Sequence, residues 1–114
     1  MLSKKLRFHS RGGVRYTYKD GKTIRSPLIS VVYTENARGR QRFAVVVSKK
    51  IFKSAVKRNA IRRRVYEAIR LEKAALGFTA PRDCIFTVYS PEVLTLDFSE
   101  LRARISWLLK KTMI

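Results

Sequence analysis

Residues 47–70 read VSKKIFKSAVKRNAIRRRVYEAIR, and this segment has the most specific character in the chain. It holds nine of the 26 Lys and Arg residues of the chain and one acid, Glu67. Apolar side chains recur in it at helical spacing and gather on one side with Ala75: Val56, Ile61, Val65, Ala68 and Ile69. The other side collects polar residues: Asn59, Arg62, Arg63, Tyr66, Arg70 and Lys73. The pattern predicts a helix that packs on a core through one side and presents cations on the other.

Two β-strands are predicted before this helix. Residues 28–34, LISVVYT, and residues 42–48, RFAVVVS, are rich in β-branched and aromatic side chains. Residues 35–40, ENARGR, have the composition of a turn. We therefore expect the two strands to pair as an antiparallel hairpin.

A strand and a second helix are predicted after the basic helix, which should begin after Ser54 and end at Gly77. Residues 84–89, CIFTVY, form the third strand, and a last helix starts at Thr95 or Asp97. The apolar face of that helix has the spacing i, i+3, i+7 and i+10: Phe98, Leu101, Ile105 and Leu108. Trp107 is assigned to core packing in the same segment.

This element order predicts an α+β fold for residues 1–114 as one RNA-binding domain. The architecture is an α-β sandwich with a central mixed sheet of three or four strands. The basic segment forms a crossover helix on that sheet, and the C-terminal helix packs beside it.

The charge of the chain indicates an anionic partner. The formal net charge is +18, and 46% of the residues are hydrophobic, which is too many for a disordered tail. Nucleic acid is the usual partner of such a protein. RNA is favoured, since no helix-turn-helix pair or zipper of a duplex-DNA reader is evident. No apolar run approaches the ~20 residues of a membrane span, so we expect a cytoplasmic protein without a membrane partner or a small-molecule substrate.

Residues 1–26 carry eight Lys or Arg residues and three interleaved aromatic side chains, Phe8, Tyr16 and Tyr18. Two interpretations remain open for this segment. It could be a surface arm with its aromatic rings tucked on the core. It could also be a platform on which single-stranded bases stack while the cations follow the backbone.

No catalytic constellation can be assembled from the sequence. The eight acids are scattered, and neither His9 nor Cys84 has the partners of a nucleophilic or metal site. Cys84 opens an apolar run, where a buried small side chain is expected in preference to a reactive thiol. An autonomous metal-dependent nuclease is disfavoured, because it would need a carboxylate cluster.

The motifs of the basic stretch resemble the signature of the bacterial ribonuclease P protein subunit. The similarity rests on the strand end Val47-Ser48-Lys49-Lys50 and on helix residues after a short loop: Ala55, Val56, Arg58, Asn59, Ile61, Arg62, Arg63 and Glu67. Three features depart from the family pattern. Gly12, Gly13 and Val14 fall where the family usually has a short helix with an aromatic residue. Ala60 stands where the second Arg of an Arg-Asn-Arg motif is usual, and Tyr66 stands where another Arg is common.

The resemblance implies a subunit of an endoribonuclease whose catalytic RNA, with bound Mg²⁺, removes the 5′ leader from precursor tRNA. The partners would be that RNA, which holds most of the Mg²⁺, and precursor tRNA, with the leader in a cleft between helix and sheet. The expected RNA-binding residues are Ser48, Lys49, Lys50, Lys53, Lys57, Arg58, Asn59, Arg62, Arg63, Tyr66 and Arg70. The expected leader-binding residues are Tyr16, Tyr18 and Tyr33. The rival assignment is a structural ribosomal protein or an RNA chaperone with no part in cleavage.

Overall fold

The computed structural model describes residues 21–36 and 41–113. In this part of the chain, two α-helices and a short 3-10 helix at Pro91–Leu94 accompany a four-stranded sheet. The helices are α1 (Ala55–Leu76) and α2 (Phe98–Thr112). The strands are β1 (Lys22–Ile24), β2 (Ile29–Glu35), β3 (Arg42–Val47) and β4 (Arg82–Val88). The fold is α+β with a mixed sheet, as predicted, although β1 is too short and too polar to be recognised from sequence.

The sheet has the strand order β1-β2-β4-β3, so the predicted hairpin between β2 and β3 is wrong. β4 lies between them, antiparallel to β2 and parallel to β3. The turn composition of residues 35–40 misled the prediction because it says where the chain bends and not which strand comes next. β4 is buried on both faces from Asp83 to Phe86, which suits a central position. A parallel pair also needs a crossover connection, and α1 supplies it.

The ends of α1 follow from local capping chemistry. The side chain of Ser54 accepts a hydrogen bond from the backbone N–H of Lys57 at 3.3 Å. Gly77 ends the helix in the left-handed conformation with φ of 64°, and Phe78 N donates to Lys73 O at 2.8 Å. That turn favours glycine, because a side chain is strained at positive φ. Both predicted helix ends are therefore confirmed.

The main core lies on one face of the sheet, where both helices pack. From α1 it takes Ile61, Val65, Ala68 and Ile69, and from α2 it takes Leu101, Ile105, Leu108 and Leu109. Phe43 of β3 and Phe86 of β4 meet beneath them, with ring centroids 6.5 Å apart. Ala44 and Ile85 point to the opposite face, because successive side chains of a strand alternate.

Three apolar side chains do not lie where the sequence predicts. Val56 is 78% exposed at the start of α1, and Ala75 is exposed near its end. Both lie outside Ile61–Ile69, the part of α1 that contains its buried residues, so helical spacing alone does not bury them. Trp107 is 46% exposed, so its assignment to core packing is wrong. Leu108 and Leu109 fill the core position next to it.

Two ion pairs tie the elements together. Arg42 and Asp83 are opposite each other on β3 and β4, and their side chains form a nearly buried bidentate pair, with Arg42 Nε 2.8 Å from Asp83 Oδ1. The hydrogen bonds that Arg42 donates to Asp83 raise the pKa of Arg42. Arg102 Nε donates to Glu72 Oε2 at 2.6 Å and links α2 to α1. In the described ranges, no helix is both long and apolar enough to cross a membrane.

Candidate nucleic-acid interface

A tight turn carries the chain from β3 towards α1. Ser48 Oγ accepts a hydrogen bond from Lys50 N at 3.1 Å, and Ile51 N donates to Ser48 O at 3.0 Å. Ser48, Lys49 and Lys50 are all exposed. The turn therefore holds two ammonium groups at the surface, beside the beginning of the basic helix.

Arg58 fastens the rest of this connection to the helix. Its Nη1 atom donates to Phe52 O at 2.7 Å and to Lys53 O at 2.8 Å. Lys57 Nζ lies 5.3 Å from the centroid of the Phe52 ring. A guanidinium has five N–H donors, so Arg58 keeps donors for a phosphate while it orders the loop.

Asn59 and Arg62 form one polar unit on the next turn of α1. Arg62 Nη1 donates to Asn59 Oδ1 at 2.6 Å. This bond is the structural role that an amide inside a cationic stripe could have, and it also orients the guanidinium. Arg63 follows, exposed, and makes no hydrogen bond or ion pair within the described part of the chain.

The beginning of α1 is strongly positive. Its first turn contains no acid, and the unpaired N–H groups of a helix N-terminus add a partial positive charge. Four exposed lysines surround it, and none of them has an ion pair within residues 21–36 and 41–113: Lys49, Lys50, Lys53 and Lys57. Such an arrangement attracts phosphate groups. We call Ser48 to Arg63 on this side the basic face.

Farther along α1 the cations are engaged within the protein. Arg70 pairs with Glu67, and the Arg70 Nε–Glu67 Oε1 distance is 3.0 Å. The hydrogen bond from Arg70 lowers the pKa of Glu67. Arg64 donates to the carbonyl oxygens of Val93 and Leu96 and so anchors the segment that contains the 3-10 helix. Sequence reasoning missed that role, because carbonyl acceptors leave no trace in the residue types.

The prediction that Tyr66 lies on the polar side of the helix is wrong. Tyr66 is 5% exposed and belongs to the main core. Its hydroxyl accepts a hydrogen bond from Val45 N at 3.2 Å. Tyr66 therefore supports β3 and does not contribute to the cationic side of the helix.

Of the three aromatic residues predicted to bind a leader, the structure describes Tyr33. Tyr16 and Tyr18 lie outside the described residues. Tyr33 lies near the end of β2, half-buried against the main core, with Arg82 Cζ 5.3 Å from its ring centroid. A ring beside a guanidinium, at the edge of the core, combines stacking surface with positive charge.

The described residues bring together no group of three His, Cys, Asp or Glu side chains that could hold a metal ion. Cys84 is fully buried on β4, and burial raises the pKa of its thiol to about 12. The thiol is therefore protonated and inert near neutral pH, in agreement with its prediction as a buried small side chain.

The model of the family Ribonuclease P matches residues 2–113, nearly the whole chain. The chain belongs to the ribonuclease P protein family. It is thus a subunit of an endoribonuclease, and the assignment to a ribosomal protein or RNA chaperone is not favoured.

Individual relatives agree with this family. The ribonuclease P protein component of Chloroflexus aurantiacus is 37% identical over 97 residues, which cover 85% of this chain and 70% of that one. The component from a Thermoanaerobacter species is 36% identical over 97 residues, with 83% and 78% covered. The solved RNase P protein from Thermotoga maritima superposes with a TM-score of 0.81 at 25% identity, covering 92% of this chain and 96% of that one.

Proposed function

We propose that this protein binds the catalytic RNA of ribonuclease P through the basic face and helps to hold the 5′ leader of precursor tRNA. The observation that carries the proposal is the cluster of exposed lysines at the beginning of α1, which form no ion pair within the described part of the chain. If the charges served only to keep the protein soluble, positive and negative side chains would be interspersed on the surface. Here one sign is concentrated where a helix N-terminus adds to it.

The basic face contains two kinds of contact. The lysines around the Ser48 turn are flexible point charges that bind phosphates without reading sequence. Arg62 is held by Asn59, so its planar guanidinium is presented in one orientation. Generic affinity would come from the lysines, and positioning of the RNA from the Asn59–Arg62 unit.

The physical benefit is electrostatic. A ribozyme and its precursor tRNA are both polyanions, and a protein with a formal charge of +18 between them reduces their repulsion. Mg²⁺ supplies the activated nucleophile in such chemistry, and we propose that the RNA subunit holds most of it. No step in our proposal passes through a metal held by the protein. Its own residues bind and orient RNA.

The decisive experiment reconstitutes the protein with a bacterial-type catalytic RNA. We expect the protein to lower the Mg²⁺ concentration needed for leader removal. We also expect it to favour precursor over mature tRNA, and to keep that preference at salt concentrations that remove generic binding. Equal affinity for both tRNAs and an unchanged Mg²⁺ requirement would contradict the proposal.

A further inference from the structure

A cavity of about 300 Å³ opens at the other edge of the sheet from the basic face. One wall is the β1–β2 connection, and the other is one side of α2. Its lining residues are Arg25, Ser26, Pro27, Ala103, Arg104 and Trp107. Ser26 Oγ donates to Ile29 O, and the ring of Pro27 fixes its φ, so two local constraints act on the backbone of the β1–β2 wall. The volume is at the lower end of the ~300–1,000 Å³ range of small-ligand sites.

Trp107 is the unusual member of this lining. Its side chain is 46% exposed, while its neighbours Leu108 and Leu109 are fully buried. Lys111 Nζ lies 5.3 Å from the centroid of the ring. A cation that covers one face of an indole leaves the opposite face for a flat partner. The ring is thus displayed in a concave site and is not needed to fill the core.

The cations around Trp107 are not neutralised by any acid among the residues that the structure describes. Arg25 and Arg104 line the cavity and Lys111 borders the ring, and none of the three makes an ion pair or hydrogen bond within the described ranges. Arg104, Trp107 and Lys111 follow the spacing i, i+3, i+7, so they share one side of α2. The same spacing can be read directly from the sequence.

We propose that this cavity binds an unpaired nucleobase of RNA, stacked on Trp107, with phosphates beside Arg25, Arg104 and Lys111. Stacking on an aromatic ring with cations along the backbone is the general mode of single-strand recognition. A second copy of the chain would bring the same +18 charge to the site and be repelled. An acidic peptide would satisfy the cations but offers no base-sized flat ring for the indole.

The location distinguishes this site from the basic face. The cavity borders β1, whereas α1 begins just after β3, and β1 and β3 are the two edges of the sheet. Three strand spacings separate these edges by about 14 Å. RNA that occupies both sites must therefore cross the molecule or supply two separate segments. RNA as the occupant rests on the proposed function, but the site can be tested without catalytic RNA.

Intrinsic fluorescence gives a direct test, because Trp107 is the only tryptophan in the chain. The full-length protein is titrated with a short single-stranded RNA and with an abasic strand of equal length and charge. We expect saturable quenching by the base-containing strand only, although the abasic strand competes for phosphate contacts. Equal quenching by the abasic strand or by polyglutamate, or no quenching at saturating RNA, would overturn the inference.

Variants supply the second readout. Trp107→Leu should weaken binding of the short strand roughly tenfold, and Arg104→Ala should weaken it several-fold. Lys110→Ala is the matched control, because Lys110 is exposed on the same helix but does not line the cavity. Lys110→Ala should lower the affinity for the short strand no more than the removal of any other single surface charge. Unchanged affinity of a folded Trp107→Leu protein would refute the site.

Failure here is separable from failure of the proposed function. If quenching is absent while the preference for precursor over mature tRNA persists, only the Trp107 site is refuted. If quenching is present while that preference is absent, only the leader-holding role is refuted.

Discussion

The hydroxyl of Tyr66 on α1 accepts a hydrogen bond from the backbone N–H of Val45 on β3, at 3.2 Å. β3 is an edge strand, and an edge strand leaves part of its N–H groups without a strand partner. Because the Val45–Tyr66 bond is buried, water cannot replace it. A side chain that helical spacing assigned to the cationic side of α1 therefore supports the edge strand of the sheet.

Tyr66→Phe should therefore destabilise the protein by about 1–3 kcal/mol and leave RNA affinity unchanged. The ring stays in the core while the buried Val45 N–H loses its acceptor. Urea unfolding measures the first effect, and binding to the catalytic RNA measures the second. Tyr89→Phe is the control: the Tyr89 hydroxyl bonds Ser30 Oγ at 2.7 Å, but the side chain is 51% exposed, so a smaller loss is expected. A drop in RNA affinity for folded Tyr66→Phe would return this residue to the interface.

Replacing both Arg62 and Arg63 by Ala should weaken binding of the catalytic RNA by about 1–3 kcal/mol without unfolding the protein. Both side chains lie on the basic face, away from the core. Arg64→Ala is the matched comparison, since it removes the next cation along the chain. It should lower stability instead, because Arg64 anchors the carbonyls of Val93 and Leu96. The reverse assignment of the two effects would contradict the structure.

Asn59 tests whether orientation matters apart from charge. Asn59→Ala keeps every cation, so the salt dependence of RNA binding should persist while the preference for precursor tRNA falls. Asn59→Asp would place a carboxylate beside Arg62, whose Nη1 is 2.6 Å from the present amide oxygen. That change should reduce the salt slope by about one. If both variants behave like the unmodified protein, Asn59 has only a local structural role.

The Arg42–Asp83 pair should be worth far more than the Arg102–Glu72 pair. Asp83→Ala leaves the Arg42 guanidinium without its nearly buried partner and removes the acceptor of Asn36 Nδ2, so we expect a loss of about 3–5 kcal/mol. Glu72→Ala breaks a pair whose arginine side chain is 41% exposed, and about 1 kcal/mol or less is expected. Chemical denaturation compares the two. Similar losses would mean that burial does not set the strength of these pairs.

Because burial raises the pKa of the Cys84 thiol, we expect the protein to lose stability at alkaline pH. The folded pKa of this thiol is raised to about 12, whereas the unfolded thiol ionises near pH ~8.5. The stabilisation is fully present below the unfolded pKa and declines as the pH rises towards the folded one, with a slope of up to about 1.4 kcal/mol per pH unit. Lysines titrate in the same range, so the measured quantity is the difference from Cys84→Ala. A difference that stays constant from pH 8 to 11 would contradict the assignment.

The helices and the basic face follow closely from sequence because their determinants are local. Ser54, Gly77 and the spacing of Ile61, Val65 and Ile69 each act within a few residues. The neighbours of β3 could not be found in that way, since pairing with β4 depends on residues 41 positions apart, such as Arg42 and Asp83. The inward turn of Tyr66 likewise depends on an edge strand that the helix sequence cannot reveal.

The central place of β4 also has a consequence for the timing of synthesis. β2 and β3 do not pair with each other. Each pairs with β4, so residues 82–88 must be made before the two strands can join one sheet, although both strands and the whole of α1 are made earlier. At ~5–20 residues per second, the ribosome delivers β4 on the order of a second after α1 is complete. For that interval the polycationic helix has only part of the surface on which it finally packs. The last strand to be made is therefore the one that completes the sheet, before α2 adds its side of the core.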